Sequence, residues 1–333
     1  MRLVQLIHPY ENRRVATVDG SQLILLRHHR SVYALANEAI AGATQIADLA
    51  SQDQSTEMVE YDAVYWGRSL WRLLPPFDHP DDPGRCLVSG TGLTHKASAE
   101  NRARMHQQQT ATVTDSMRMY QLGLKGGMPA AGEIGVQPEW FYKGSGRILR
   151  AHGEVLHVLS FAEDGGEEPE IAGVYLISAK GDPYRVGLAT ANEFSDHVME
   201  RQNYLYLAPS KLRDCAIGPE LLTSELPPQH IEGKVTIERN SEALWSTPIY
   251  SGEKNMSHSI ANLEHHHFKY EDHRHPGDVH IHFFGADAFS FGAGVKLMDG
   301  DLMEVSWPTL GRPLRNSIQF DSEPKSLIAA RWL

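Results

Sequence analysis

Residues 168–195, which read EPEIAGVYLISAKGDPYRVGLATANEFS, predict two β-strands that carry three carboxylates. Glu168 and Glu170 flank Pro169, and alternate side chains of an extended strand leave on the same face. Glu193 lies among small apolar residues, where an unpaired carboxylate would be costly to bury. Three oxygen ligands of this kind suit a hard divalent cation, Mg²⁺ or Mn²⁺. Taken alone, residues 163–170 could equally form a solvated acidic patch.

Lys211 is the second candidate for chemistry. It follows the apolar residues 205–209 and precedes a further apolar stretch, residues 215–218. Desolvation and a nearby divalent cation would both disfavour its ammonium form. A neutral amine in that position can act as a general base at ordinary pH. The alternative is a surface lysine that simply follows Pro-Ser.

Composition limits the class of protein. The chain has 333 residues, of which 41% are hydrophobic and 22% charged, as in a globular protein with one large domain or two ordinary ones. The net charge of −11 and the lack of a basic run disfavour binding to nucleic acid or to an anionic membrane. An acidic protein can still bind an anionic substrate when a metal ion supplies positive charge.

Two features predict a cytoplasmic setting. Cys86 and Cys215 are the only cysteines, so neither a disulfide framework nor a zinc knuckle is expected. No window approaches eighteen consecutive apolar residues, so no membrane span is expected, and the first residues read as a strand rather than a leader.

The pattern along the chain predicts a mixed, β-rich α+β fold. A small N-terminal α+β module, residues 1–85, ends near the Pro- and Asp-rich residues 74–83, and residues 86–333 form the main domain as a curled mixed β-sheet roll. The predicted helices are residues 31–50, 99–109 and 257–268. The predicted strands include residues 4–7, 14–18, 22–26, 152–161, 173–178, 184–194, 234–239 and 242–248.

The order of several motifs resembles the fumarylacetoacetate hydrolase superfamily. The matching segments are Glu-Pro-Glu-Ile at 168–171, Ala-Asn-Glu-Phe-Ser at 191–195, Asn-Tyr-Leu-Tyr-Leu-Ala-Pro-Ser-Lys at 203–211, Pro-Gly-Asp-Val at 276–279 and Asp-Gly-Asp at 299–301. The resemblance covers residues 90–320. It implies the catalytic fold of that superfamily and a homodimer.

Two more segments are similar to one branch of that superfamily, which dehydrates 2-keto-3-deoxy sugar acids in bacterial pentose catabolism. They are Thr-His-Lys-Ala-Ser at 94–98, followed by Arg102, and Pro-Glu-Trp-Phe-Tyr-Lys at 138–143. The implied reaction is loss of water from a 2-keto-3-deoxypentonate, a small 2-keto acid, to give 2-oxoglutarate semialdehyde.

The resemblance also implies roles for individual residues. It makes Glu168, Glu170 and Glu193 the metal ligands and Lys211 the active-site lysine, which we interpret as the base that removes the C3 proton. Ser98, Arg102 and Lys143 fall in segments that border the substrate. The general acid for loss of the C4 hydroxyl is left open among His95, Glu100, His197 and Glu200, and Glu200 is also a candidate for substrate binding.

Three departures from the family pattern weaken parts of this transfer. Asp196-His197 replaces the usual Ala-Arg or Ser-Arg, which removes a cation that holds substrate elsewhere. The segment His-Phe-Phe-Gly at 282–285 replaces a Thr-Gly-Thr-Pro loop. His95 replaces an aromatic residue, so it serves either packing or proton transfer.

Histidine clusters offer a separate metal-site hypothesis. His280 and His282 share one face of a predicted strand, and Pro-Gly-Asp-Val-His-x-His superficially resembles a cupin site. Residues 265–267 are three consecutive histidines on a predicted helix, where at most one ring would face a pocket. We expect the others to be hydrogen-bonded in the packing or to lie on the surface.

Two rival functions stay open. One is hydrolytic cleavage of a C–C bond in a 2,4-diketo-3-deoxy sugar acid to pyruvate and a short hydroxy acid, and decarboxylation or tautomerisation would use similar chemistry. The other is a non-catalytic protein that binds a sugar acid.

Overall fold

The computed structural model describes residues 1–106, 114–223 and 229–333. The strands in these ranges are β1 (Arg2–His8), β2 (Asn12–Asp19), β3 (Gln22–Leu26), β4 (Gln54–Glu60), β5 (Arg72–Leu74), β6 (Cys86–Gly90), β7 (Phe141–Ser145), β8 (Leu149–Arg150), β9 (Leu156–Val158), β10 (Pro169–Ile177), β11 (Pro183–Asn192), β12 (Cys215–Leu222), β13 (Ile231–Arg239), β14 (Glu242–Ser251), β15 (Val279–Phe283), β16 (Leu302–Ser306) and β17 (Leu314–Phe320). The helices are α1 (Val32–Ala41), α2 (Ile46–Gln52), α3 (Tyr61–Tyr65), α4 (Lys96–His106), α5 (Asp115–Gly126), α6 (His197–Gln202), α7 (Leu207–Lys211) and α8 (Ile260–Phe268).

Two open sheets organise the fold, which is mixed and β-rich as predicted. The larger sheet has the order β4-β3-β2-β1-β12-β11-β10-β15-β6-β7, with β5 beside β1 and β8 beside β12. The smaller has the order β14-β13-β16-β17-β9. Most neighbours are antiparallel, whereas β15 pairs with β6, β12 with β8 and β17 with β9 in parallel.

The hairpin β10–β11 positions the acidic residues. Every residue of β10 is buried, because this strand lies inside the large sheet between β11 and β15. Just beyond the paired strands, the backbone N–H of Glu193 donates to the carbonyl of Glu168 at 2.9 Å. The predicted juxtaposition of the two acidic segments is therefore present.

The N-terminal strands extend the same sheet rather than forming a separate one. β1 pairs with β12 through Arg2↔Leu222 and Leu3↔Leu221. Fully buried side chains from both parts of the chain, Leu3, Val15, Val174 and Ile217, pack in one cluster. The boundary at residue 85 stays a prediction.

Some predicted elements need correction. The single helix over residues 31–50 is wrong: α1 ends at Ala41, and Ala43 has a left-handed φ of +48° that no helix accommodates. Of the strand predicted over residues 152–161, only β9 forms. The helix predicted at 99–109 is α4, and residues 107–109 lie outside the described ranges.

No helix in the described ranges has both the length and the apolar character that a membrane crossing requires.

Candidate active site

Three buried carboxylates converge at the end of the β10–β11 hairpin. Glu168, Glu170 and Glu193 are 5%, 1% and 0% exposed, and each offers an oxygen within 4.8 Å of those of the other two. In the described part of the chain this is the one set of three or more acidic, histidine or cysteine side chains grouped closely enough for one metal ion. The predicted ligand set is therefore brought together.

Among the three acids, Glu170 has the least positive charge nearby to balance a buried carboxylate. Its Oε2 accepts a hydrogen bond from the backbone N–H of Gly285 at 2.6 Å. Burial, together with the charges of Glu193 and Glu168, raises its pKa well above the usual range. A divalent cation between these oxygens would relieve both effects, so the donor set fits Mg²⁺ or Mn²⁺.

Lys211 contacts the carboxylates directly. Its Nζ lies 2.5 Å from Glu168 Oε1, 2.7 Å from Glu193 Oε2 and 3.0 Å from the hydroxyl of Ser195. Burial opposes the ammonium form, but Glu168 and Glu193 outweigh it and raise the pKa of Lys211.

In the side chains by themselves the carboxylates favour the ammonium form. The predicted destabilisation, which assumes a divalent cation nearby, stays a prediction. The same contacts affect Glu168, where burial is outweighed by Lys211 and His197, so its pKa lies well below the usual range. A cation shared by the carboxylates would compete with Lys211 for their negative charge and lower its pKa.

Lys143 contacts Glu193 and two backbone carbonyls next to the carboxylates. Its ammonium lies 2.6 Å from Glu193 Oε1 and donates to the carbonyls of Phe194 at 2.5 Å and Lys211 at 3.0 Å. These three acceptors match the three donors of an ammonium group. Lys143 therefore ties the Glu193 segment to α7, and its predicted contact with substrate stays a prediction.

His197 contacts the first metal-ligand candidate. Its Nε2 lies 3.1 Å from Glu168 Oε1, and the ring is 1% exposed. Asp196, its neighbour, accepts from the N–H of Met199 at the start of α6 and pairs with Arg213 at 3.0 Å. The departure at 196–197 therefore gives a helix cap and a partner for Glu168.

Arg102 and Glu200 meet in a second buried ionic group. Arg102 pairs with Glu200 at 2.5 Å and with Glu139 at 2.7 Å, and Tyr204 donates to Glu139 at 2.8 Å. The group connects α4 to α6. Glu139 and Tyr204 were not predicted as site residues, although both lie inside segments that carry the family resemblance.

His95 is held in one tautomer. The hydroxyl of Thr94 donates to the carbonyl of Phe284 at 2.7 Å and lies 2.9 Å from His95 Nδ1. Because a hydroxyl has one proton, Nδ1 carries the N–H and Nε2 is an acceptor. Burial lowers the pKa of His95 to about 4, so its imidazole is neutral at pH 7. Its role as the general acid stays a prediction.

Ser98 and Glu100 occupy different sides of α4. Ser98 is buried, and its predicted place beside the substrate stays a prediction. Glu100 instead pairs with Lys96 at 3.7 Å, and its side chain is 44% exposed. The structure does not bring Glu100 to the carboxylates, because its position on α4 directs it outwards.

The buried histidines form their own cluster. His267 Nε2 lies 2.9 Å from His280 Nδ1, and His282 Nδ1 lies 2.9 Å from the hydroxyl of Ser89. His280 is paired with Tyr175 of β10, and His282 with Gly173. These odd-numbered positions of β10 face the side of the sheet opposite to that of Glu170. Their rings are therefore on the other face, and the cupin-like hypothesis finds no metal-ligand group there within the described ranges.

Comparison with known proteins gives two relatives by sequence. The chain is 30% identical over 121 residues to a probable 2-keto-3-deoxyxylonate dehydratase from Haloferax volcanii, covering 35% of this chain and 40% of the relative. It is 27% identical over 156 residues to 2-dehydro-3-deoxy-D-arabinonate dehydratase from Saccharolobus solfataricus, covering 46% and 45%. Less than half of each relative is therefore matched. No family model matches the sequence.

Solved structures match over almost the whole chain. A 2-keto-3-deoxy-D-arabinonate dehydratase complexed with magnesium and 2,5-dioxopentanoate has a TM-score of 0.71 at 20% identity, covering 97% of this chain and all of that one. A 5-carboxymethyl-2-hydroxymuconate delta-isomerase from Mycobacterium smegmatis has a TM-score of 0.56 at 15% identity, covering 96% of this chain and all of that one.

These matches confirm two predictions: the fold, and the resemblance to the dehydratase branch of the fumarylacetoacetate hydrolase superfamily.

Proposed function

We propose that this chain, which has the fold of the fumarylacetoacetate hydrolase superfamily and sequence relatives in its dehydratase branch, removes water from a 2-keto-3-deoxypentonate. The product would be 2-oxoglutarate semialdehyde, which is 2,5-dioxopentanoate, the compound bound in the magnesium complex of the dehydratase with the same fold. The observation that carries the proposal is the buried trio of Glu168, Glu170 and Glu193 with Lys211 in contact.

The three glutamates would hold the metal ion. When bound, Mg²⁺ or Mn²⁺ supplies Lewis-acid stabilisation of the negative charge that develops on a 2-keto acid. Glu170 supports this assignment most directly, because its raised pKa reflects a buried acid that lacks sufficient positive charge nearby.

Lys211 would take the C3 proton. Its Nζ is fixed by Glu168, Glu193 and Ser195, so it is oriented before substrate arrives. The C4 hydroxyl then leaves as water, and tautomerisation gives the C5 aldehyde. Arg102, with two carboxylate partners, would position rather than react. The donor of the proton to the C4 hydroxyl stays open among the buried residues His95, His197 and Glu200.

The test is turnover of both C4 epimers of 2-keto-3-deoxypentonate by the purified full chain with Mg²⁺. We expect 2,5-dioxopentanoate from one epimer at least, loss of activity with EDTA, and recovery with Mg²⁺ or Mn²⁺. Pyruvate from the 4-keto analogue would instead favour C–C hydrolysis. Tight binding of the sugar acid without turnover would favour a binding protein.

A matched pair of variants tests the metal site. Glu170→Gln keeps the side-chain volume but removes a ligand charge, and we expect activity to fall at least about 100-fold with weaker Mn²⁺ binding. Glu232→Gln changes a 72% exposed carboxylate and should leave both unchanged. Full activity in Glu170→Gln would contradict the assigned ligand set.

We also propose a homodimer, as the superfamily resemblance implies. Light scattering after size exclusion would measure it, and a mass near 37.2 kDa in solution would contradict the proposal.

A further inference from the structure

The ring of His197 is confined by two phenylalanines. Phe289 stacks on it at 4.9 Å between centroids and 7° between planes, and Phe291 at 5.1 Å and 28°. The only hydrogen-bond partner of the ring in the described ranges is Glu168, 3.1 Å from Nε2. Two stacked rings leave the imidazole little freedom except in its own plane.

Gly166 closes the opposite edge of the imidazole. A Cβ on Gly166 would lie 2.5 Å from His197 Nδ1, so only glycine leaves room for the ring. Gly166 is itself fixed, because it exchanges two backbone hydrogen bonds with Ser195 at 2.9 and 3.0 Å. The imidazole is therefore held between this backbone and the Glu168 carboxylate.

Glu167 fixes the two phenylalanines. Ser290 lies between them in sequence, and both of its polar groups donate to Glu167: the backbone N–H to Oε1 at 2.6 Å and the hydroxyl to Oε2 at 2.7 Å. Glu167 is fully buried. Glu167 thus anchors the segment of residues 289–291, and the two phenylalanines of that segment confine His197, the partner of Glu168.

We infer that Glu167, acting through Ser290, Phe289 and Phe291, is a positioning residue that keeps His197 on Glu168 and so sets the affinity of the carboxylates for a divalent cation. Partners that orient a ligand carboxylate typically change metal affinity by about 10- to 100-fold. Glu167 is the chain neighbour of Glu168, but its carboxylate hydrogen-bonds to Ser290 and, among the described residues, to none of the trio or Lys211. The inference depends on the proposed function only in requiring that the trio binds a metal ion.

The test is a double-mutant cycle on the full chain, with Mn²⁺ as the probe and binding followed by electron paramagnetic resonance. Glu167→Ala should weaken Mn²⁺ binding about 10-fold or more. Glu167→Gln should restore it to within about threefold, because its amide oxygen can accept from the Ser290 N–H and its amide nitrogen can donate to the hydroxyl. In a His197→Phe background, Glu167→Ala should have little further effect, since the residue it positions is gone.

Equal effects of Glu167→Ala in both backgrounds, or no effect in the wild type, would overturn the inference. If Glu167→Ala does not fold, Ser290→Ala enters the same cycle with the same expected coupling. Glu264→Ala, which removes a carboxylate bonded to Tyr175 on the other face of β10, is the matched control and should leave Mn²⁺ affinity unchanged.

The outcome is separable from that of the dehydratase proposal. A wild-type chain that binds Mn²⁺ but converts no sugar acid would contradict the proposed reaction. The double-mutant cycle on Glu167 and His197 could still be interpreted, because it measures only Mn²⁺ binding. A wild-type chain that does not bind Mn²⁺ would overturn both.

Discussion

A divalent cation held by the carboxylate trio would compete with Lys211 for the same oxygens. The ammonium contacts Glu168 and Glu193, two members of the carboxylate trio. We therefore expect Lys211→Met, which keeps the length of the side chain, to lower turnover at least about 100-fold because the base is lost. The same change should leave Mn²⁺ binding intact or tighter, since a competing positive charge is removed.

Steady-state kinetics and Mn²⁺ titration on the same preparation separate these effects. Lys180→Met, at an exposed lysine, is the control and should change neither quantity. Turnover within about threefold of the wild type in Lys211→Met would exclude Lys211 as the base and require another acceptor for the C3 proton.

Individual site residues could be predicted from the sequence where strand alternation or a recognisable motif contains them. The trio and Lys211 were found because strand alternation and motif order place them. The contact of Glu167 with Ser290 was missed, since the two are 123 positions apart and no local pattern joins them. The ionisation of Lys211 could not be settled from the sequence, because it depends on distances to carboxylates, which a sequence does not contain.

Among the elements, β15 contributes a pH dependence of stability through two buried histidines, His280 and His282. Burial lowers the pKa of both His280 and His282 to about 3, and His273 nearby adds to the shift. An unfolded histidine titrates near 6.5, so below that pH the unfolded chain binds protons that the native state excludes. Stability from these two residues is complete above pH 6.5 and is lost as the pH falls towards about 3.

Urea unfolding at pH 7 and pH 5 measures this loss. Each residue should cost about 2 kcal/mol over that interval, because one pKa unit corresponds to about 1.4 kcal/mol. The double variant His280→Gln, His282→Gln should unfold with a smaller change between the two pH values. His275→Gln, at an exposed side chain, should show the full change. An unaltered pH dependence in the double variant would mean that these rings are not the groups that titrate.

Strands and helices could be predicted from the sequence where one hydrophobic pattern covers the whole element. The strands over residues 173–178 and 184–194 correspond to β10 and β11, whose apolar runs suit a buried strand. The helix over residues 31–50 was wrong because its apolar spacing continues across the break at Ala43. Apolar periodicity predicts which residues are buried, but it cannot reveal a single residue with a left-handed backbone.

On the scale of the whole molecule, residues 1–85 and the rest of the chain share a core. Leu3, Val15 and Leu26 are fully buried in the same cluster as Val174 and Ile217. Hydrogen bonds cross the predicted boundary as well: Tyr61 donates to Glu220 at 3.0 Å and Tyr65 to the carbonyl of Pro313 at 2.9 Å. A Pro-rich stretch in a sequence predicts a boundary, but it does not reveal which strand pairings and hydrogen bonds cross that boundary.

We therefore expect the fragment 86–333 not to fold by itself. Removing β1 would leave β12 with an open edge and would uncover an apolar face of the large sheet, and both promote aggregation. Calorimetry of the full chain should show one cooperative transition, whereas the fragment should be insoluble or lack one. A soluble fragment with a sharp transition of its own would contradict this expectation and show that residues 86–333 form an independent domain. Mn²⁺ binding by that fragment would further show that the carboxylate trio needs nothing from the N-terminal strands.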